Sequence, residues 1–153
     1  MRRRDREIKD RELMESIIRR APVCRIGLSE DNIPYVVPLN FGYKDNFLYF
    51  HSAKEGKKID MIRKNNHICF EVDIEHEPVQ GEDPCDWSMK YRSVIGFGKA
   101  FLVEDHGEKR RALDIISEHY TGKQSFEYPE NSVNNLAIIK VKIESMTGKK
   151  SGY

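Results

Sequence analysis

Ser52, Lys57 and Lys58 are the residues of this chain whose types and spacing most clearly allow chemistry. They stand in the segment 48–62, where a β-rich run leads into a turn with Gly56 and then into a helical pattern. A phosphate at such a helix start would meet unpaired backbone N–H groups, the positive end of the helix dipole, a serine hydroxyl and ammonium charge. The pattern predicts an anion site, although glycine and lysine after a strand also occur in a solvated turn.

His51 and Arg92 are further candidates for binding or proton transfer. His51 ends the strand beside the predicted anion site, where its imidazole could donate to a ligand carbonyl or transfer a proton near pH 7. A hydrogen-bonded structural histidine is the alternative. Arg92 could pair with a phosphate, or with an acidic residue of the segment that precedes it.

His67 and Cys69 would share one face of a strand and could approach one metal ion. Two ligands without a third are a weak signal, so we expect no metal site. The sequence also lacks the Walker, GxGxxG, GxSxG, HExxH and EF-hand patterns, which removes the usual support for ATPases, Rossmann dehydrogenases, α/β-hydrolases and zincins. A cofactor site outside the Rossmann class remains open.

Composition favours one globular domain over residues 1–153, with residues 1–9 as a charged N-terminal arm. Twenty-six basic and 25 acidic residues leave a net charge of +1, which gives no reason to expect a nucleic-acid or membrane partner. No apolar run approaches the ~20 residues that span a bilayer. Three widely spaced cysteines, without a CxxC pair, predict a reduced, cytoplasmic chain; they are Cys24, Cys69 and Cys85.

The elements that must position these residues follow from hydrophobic periodicity. The spacing predicts three helices, over residues 10–21 with Asp10 as N-cap, 57–64 and 106–120. Residues 23–28, 35–41 and 47–51 are expected to form a meander of three antiparallel strands. Further strands are predicted at 67–74, 91–103 and 136–143, followed by a tail. Together these elements predict an α+β fold, an antiparallel β-barrel of six or so strands with helices packed outside.

Residues 75–90 are predicted to form a long loop, because Pro78, Gly81 and Pro84 interrupt an acidic stretch. Trp87 in this loop suggests an anchor or a ligand wall. In the following strand, Gly96 and Gly98 lie two apart on one face, where missing side chains admit a bend or the close approach of a flat ligand or another backbone.

Four motifs in register resemble the pyridoxamine-phosphate-oxidase-like flavoproteins, and within them the nitroimidazole-resistance subgroup. They are residues 34–43, 48–58, 91–98 and 146–149, and the resemblance covers the chain after residue 5. The segment 75–90 has no matching pattern. The chain ends Ser151-Gly152-Tyr153, whereas relatives often carry a tryptophan there.

The resemblance implies a split β-barrel homodimer that binds two FMN molecules in clefts between its subunits. By the same resemblance, Ser52, Lys57 and Lys58 contact the phosphate, and His51 matches the histidine that marks the subgroup. The remaining residues implied at the cofactor are a strand along the isoalloxazine ring, formed by Pro38, Leu39 and Asn40, and a cleft wall from the partner subunit, formed by Tyr91, Arg92 and Ser93 with Trp87 nearby.

The function expected from these features is that of an FMN-dependent oxidoreductase. It would take electrons from NADH or NADPH and reduce a small acceptor such as a nitroaromatic compound of the 5-nitroimidazole type. Two alternatives stay open: a non-catalytic flavin- or haem-binding barrel that serves as carrier or sensor, and a ligand-free dimer whose lysine turn is only surface.

Overall fold

A computed structural model describes residues 3–123 and 125–153, which form one curled antiparallel sheet and four α-helices. The strands are β1 (Glu7–Ile8), β2 (Cys24–Glu30), β3 (Ile33–Leu39), β4 (Gly42–Lys44), β5 (Phe47–Ala53), β6 (His67–Val79), β7 (Ser88–Val103) and β8 (Leu136–Ser151). The helices are α1 (Arg11–Arg20), α2 (Lys57–Lys64), α3 (His106–Thr121) and α4 (Glu130–Asn134).

The sheet is ordered β3-β2-β6-β7-β8-β5-β4, with β1 paired to β8. The end strands β3 and β4 do not pair with each other, so the barrel is split rather than closed. The inner sheet face shares one apolar core with α1 and α2, whereas α3 and α4 pack on a second apolar cluster around Val103 and Ile138. This confirms the predicted α+β split barrel with helices packed against it.

Local sequence signals explain several of these elements. The Asp10 carboxylate accepts hydrogen bonds from the backbone N–H groups of Glu12 and Leu13, which is the predicted N-cap of α1. The N-cap stabilises a helix whose apolar side, including Met14, is buried in the core. In the first part of β6, buried residues alternate with half-buried or exposed ones, as a strand with one core face requires.

The predicted three-stranded meander is wrong in its third strand. β2 and β3 form a hairpin, but β5 pairs with β8, with Ser52 opposite Ala137. The short strand β4, which the periodicity did not indicate, leads the chain to the other end of the sheet and pairs with β5. Strand pairing depends on partners distant in sequence, so the local pattern predicts the strand β5 but not the strand with which it pairs.

The predicted loop over 75–90 is also wrong in its extent, because half of the segment is strand. β6 continues to Val79, β7 starts at Ser88, and the two pair beyond an irregularity between Ile74 and Glu77. Glu75, with a φ of 60°, lies at this irregularity. Similarly, residues 144–151 are not a tail but the second half of β8, paired along β7 as far as Tyr91 opposite Ser151.

Gly96 and Gly98 are required by close approach within the chain itself. A Cβ at Gly96 would lie 2.3 Å from the ring of Phe70, and a Cβ at Gly98 would lie 2.2 Å from the carbonyl oxygen of Lys142. The space left by both glycines is therefore filled by the protein's own core and backbone.

The C-terminal part of α3 joins two connections of the barrel. The Tyr120 hydroxyl donates to the carbonyl of Pro22 and accepts from the N–H of Phe41. His119 Nε2 lies 2.8 Å from the carbonyl oxygen of Ala21. These bonds fix the ends of the segments that enter β2 and β4. Within the described residues, no helix has the length and apolar character needed to cross a membrane.

Candidate functional site

The Ser52 side chain lies at the end of β5 and points to the inner side of the sheet. It is 8% exposed, and its hydroxyl oxygen has no hydrogen-bond partner among residues 3–123 and 125–153. A buried hydroxyl without a partner costs free energy, so such groups are uncommon unless a ligand or water satisfies them. The position of Ser52 directly before the predicted anion-binding turn suits a ligand.

The start of α2 completes this region as the sequence predicted. Gly56 is the N-cap and has a φ of 122°, a backbone conformation that residues with a side chain rarely adopt. Because glycine has no side-chain acceptor, the backbone N–H groups of Lys57 and Lys58 keep their capacity to bind an anion, whereas those of Ile59 and Asp60 donate to the Gly56 carbonyl. Lys57 is exposed and Lys58 is half-buried at this turn. Ser52, Lys57 and Lys58 thus belong to one short strand–turn–helix unit.

Tyr35 on β3 is a member of the site that sequence reasoning missed. The Lys57 Nζ atom lies 4.5 Å from the centre of the Tyr35 ring, within the range of a cation–π interaction. The contact connects the turn before α2 with an end strand of the sheet. The sequence places Tyr35 in a predicted strand and in the motif 34–43, but nothing in its local pattern indicates a contact with Lys57, which lies 22 residues further along the chain.

His51 precedes Ser52 on β5 and therefore points to the opposite face of the sheet. Its side chain is exposed, whereas that of Ser52 is buried. An exposed imidazole on the outer face can reach a molecule that lies against that face, but it does not share the enclosure of the Ser52 hydroxyl. This arrangement separates the two predicted roles spatially, with anion binding inside the turn and proton transfer on the outer face.

Pro38, Leu39 and Asn40 lie at the end of β3, where Pro38 and Asn40 are exposed and Leu39 is half-buried. β3 is an end strand, so one row of its backbone groups has no strand partner and is open to a ligand. Pro38 lies opposite Arg25, whose guanidinium is 2.7 Å from a carboxylate oxygen of Asp73 and 3.1 Å from one of Glu71.

Tyr91, Arg92 and Ser93 lie at the other end of the barrel from the anion-binding turn. Val103, at the far end of β7, is opposite Ile138, and Ser52 is opposite the preceding Ala137. About eleven residues of β7, or roughly 35 Å of strand, separate Arg92 from that end. One chain therefore does not bring the two halves of the predicted site together.

Arg92 is held within its own chain. Its guanidinium lies 3.1 Å from the Glu75 carboxylate and 4.7 Å from the centre of the Tyr153 ring. The Tyr153 hydroxyl donates to the backbone carbonyl of Glu75 at 2.8 Å. Arg92 Nε remains buried and without a partner among the described residues. The C-terminal aromatic residue thus covers Arg92 in this chain.

The cysteines and histidines do not assemble a further site within the described residues. No group of three or more potential metal ligands occurs there. Cys24 is buried, which raises the pKa of its thiol, and burial also raises the pKa of the half-buried Cys69 thiol. Raised thiol pKa values oppose thiolate formation at both positions, and Cys24 is part of the apolar core.

A model of the family described as pyridoxamine 5'-phosphate oxidase matches residues 10–150. The chain belongs to this family. A solved structure of a candidate 5-nitroimidazole antibiotic resistance protein from Bacteroides thetaiotaomicron is 43% identical, with a TM-score of 0.84 over 94% of this chain and 86% of the other. The resemblance to the family and to its nitroimidazole-resistance subgroup is thereby confirmed.

Two other solved structures share the fold, and one further protein is similar over part of its length. A FAD-binding protein from Mesorhizobium loti is 26% identical, with a TM-score of 0.71 over 96% of this chain and 98% of the other. A FAD- and haem-binding protein from Mycobacterium smegmatis has a TM-score of 0.87 at 17% identity, over 97% and 74%, and shares the fold. An uncharacterized protein of Rhizobium meliloti (strain 1021) is 28% identical over 65 residues, so the match spans 42% of each chain.

Proposed function

We propose that this member of the pyridoxamine 5'-phosphate oxidase family binds FMN and uses it to reduce a small acceptor such as a nitroaromatic compound. The observation that carries the proposal is the buried, unpartnered Ser52 hydroxyl beside the glycine-capped start of α2. This hydroxyl and the free backbone N–H and ammonium groups of Lys57 and Lys58 together suit a phosphate monoester.

The cofactor site requires two copies of the chain. The resemblance assigns to one site Tyr91–Ser93, at one end of β7, and Ser52, which lies level with the other end, so an isologous dimer would join the Ser52 end of one copy to the Tyr91 end of the other. The outer face of β7 offers an apolar surface for such a dimer. The side chains of Ile95, Phe97 and Phe101 lie on this face and are 44%, 57% and 47% exposed.

FMN, when bound, supplies the electron transfer between a reduced nicotinamide and the acceptor. The residues of the chain supply binding, orientation and proton control. Ser52, Lys57 and Lys58 would hold the phosphate end, and unpaired backbone groups of Pro38 and Leu39 at the end of β3, and of Asn40 just after it, would hydrogen-bond the ring end. His51, exposed on the outer face, orients the acceptor or gives it a proton.

The relatives support this choice of chemistry. The structure named for 5-nitroimidazole resistance is 43% identical to this chain, and the Mesorhizobium loti protein, at 26% identity, is named for FAD binding. A flavin cofactor agrees both with the name of the Mesorhizobium loti protein and with the phosphate site described here. The choice of FMN, and of NADH or NADPH as the electron donor, belongs to the proposal.

The test is a double substitution, Lys57→Ala with Lys58→Ala, in the full chain. We expect it to abolish flavin absorbance in the purified protein and after reconstitution with FMN, while circular dichroism shows an intact fold. Arg63→Ala with Lys64→Ala is the matched control, because it removes two cations from the C-terminal end of the same helix. Full flavin content in the Lys57/Lys58 variant would show that the phosphate binds elsewhere.

A flavin or haem carrier is the second candidate, favoured by the fold shared with the FAD- and haem-binding protein from Mycobacterium smegmatis. Anaerobic addition of NADH or NADPH separates the two functions. An oxidoreductase would lose its flavin absorbance and recover it when a nitroimidazole is added. A carrier would keep the absorbance of its bound cofactor unchanged, and a protein without any cofactor after reconstitution would exclude both.

A further inference from the structure

Residues 76–90 form a two-stranded arm that extends beyond the sheet. We call this segment the β6–β7 arm. Its strands pair only with each other, through Glu77 with Lys90, Pro78 with Met89 and Val79 with Ser88. The neighbouring strands end earlier, since the β2 pairing stops at Glu71 and the β8 pairing stops at Tyr91. Among residues 3–123 and 125–153, the arm therefore has no third strand on either side.

Large apolar side chains of the arm remain exposed. Trp87 is 55% exposed, Met89 is 42% exposed and Val79 is 36% exposed. A two-stranded hairpin is marginal in water unless another surface packs against it. Exposed tryptophan and methionine on such a hairpin are typical of a surface that another chain covers.

The charge of the arm indicates what covers it. Residues 76–90 contain one lysine, Lys90, which pairs with Glu77 at 3.1 Å, and four carboxylates, those of Glu77, Glu82, Asp83 and Asp86, so the arm keeps an excess of negative charge. The turn before α2 has the opposite character, with Lys54, Lys57 and Lys58 against Glu55. An acidic arm and a basic turn attract each other. In one copy of the chain they lie at opposite ends of the barrel.

We propose that the β6–β7 arm covers the flavin site of a second copy of this chain, with Trp87 packed against the ring system. This inference rests on the proposed function and adds a residue and a closing element to that site. The arm is the direct continuation of residues 91–93 along β7. A two-fold arrangement that brings those residues to the partner's anion-binding turn carries the arm alongside the same turn.

The first experiment compares FMN affinity in Trp87→Ala, Trp87→Phe and the unchanged chain. Loss of an aromatic contact to the ring should raise the FMN Kd about 3- to 10-fold in Trp87→Ala. Trp87→Phe, which keeps an aromatic face, should stay within about twofold. Phe126→Ala is the control, since Phe126 is an exposed aromatic residue outside the arm and should leave the Kd unchanged.

The second experiment decides whether Trp87 acts on its own chain or on the other copy. Chains with Lys57→Ala and Lys58→Ala are co-expressed with Trp87→Ala chains, and the mixed dimers are isolated by differential tags. If the arm acts across the dimer, each mixed dimer regains one complete site, with the lysines of one chain and the Trp87 of the other. It should then bind one FMN with the Kd of the unchanged protein.

The outcomes separate this inference from the proposed function. If the unchanged chain binds FMN as a dimer but Trp87→Ala has the same Kd, the arm does not cover the site and the proposed function stands. If Trp87→Ala weakens binding but the mixed dimers regain no complete site, the arm acts within its own chain and the inference is wrong. If the unchanged chain binds no FMN, the proposed function itself fails.

Discussion

The ammonium group of Lys57 lies 4.5 Å from the centre of the Tyr35 ring. This contact connects the first residue of α2 to strand β3, the end strand that also carries Pro38 and Leu39. One pair of side chains thus connects the predicted phosphate turn to the strand that carries the predicted ring contacts. A cation held in this way loses less conformational entropy when it binds a phosphate.

Tyr35 should therefore contribute to flavin affinity without touching the phosphate. We expect Tyr35→Leu to weaken FMN binding by about 0.5–1 kcal/mol, the range of an exposed cation–π interaction, and Tyr35→Phe to have little effect because it keeps the ring. Titration of the apoprotein with FMN measures the difference. Equal affinities for the leucine and phenylalanine variants would show that the ring does not position Lys57.

Ser52→Ala should separate stability from binding. The buried hydroxyl has no partner in the described part of the chain, so its removal should leave the apoprotein unchanged or up to about 1–2 kcal/mol more stable. The same change should weaken FMN binding, because the phosphate loses a donor. Urea unfolding of the apoprotein and FMN titration give the two quantities.

Ser117→Ala is the matched control for that experiment. The Ser117 hydroxyl lies 3.1 Å from the Tyr128 hydroxyl, so its removal leaves a former partner behind and should lower the free energy of unfolding. Its flavin affinity should stay the same. A loss of stability in Ser52→Ala similar to that in Ser117→Ala would contradict the reading of Ser52 as a ligand-binding group.

His51→Ala should slow acceptor reduction while leaving FMN binding largely intact. The imidazole points to the outer face, away from the Ser52 hydroxyl, so the phosphate end of the site does not depend on it. Stopped-flow measurement of flavin reoxidation by a nitroimidazole isolates the acceptor step from reduction by the nicotinamide. An unchanged reoxidation rate would assign His51 a structural role.

The titration of Glu71 should lower the free energy of unfolding as the pH rises above the range in which glutamate usually titrates. Burial and the nearby Asp73 raise the pKa of its carboxyl in the folded state, although Arg25 opposes the shift. The folded protein therefore binds this proton more tightly than the unfolded chain, and the advantage is lost as the pH rises through the folded pKa. Urea unfolding between pH 4 and pH 7 measures the slope.

The Glu71→Gln variant should reduce that slope, because the amide does not titrate. Arg25 keeps its contact with Asp73 at 2.7 Å in this variant. Glu127→Gln, an exposed carboxyl outside the sheet, serves as the control. Identical pH dependence in Glu71→Gln and the unchanged protein would mean that Glu71 does not titrate differently in the two states.

Several features were predictable from the sequence because they depend on neighbours in the chain. The unit of strand, glycine turn and helix around Ser52 and Lys57 follows from local periodicity, and the observed helix begins at Lys57 as predicted. Asp10 caps α1 for the same local reason. Four motifs in register carried the resemblance to the family, which the match over residues 10–150 confirms.

Other features arise only when distant segments pair. The sequence determined that Ser52 stands before a cationic helix start, but only the tertiary structure decided that its hydroxyl is buried without a partner and that Lys57 contacts Tyr35. It also decided that residues 76–90 form an arm and that Arg92 lies at the opposite end of the barrel. Strand register sets all of these relations, and register is fixed by burial and pairing across the sheet, which no local window of sequence contains.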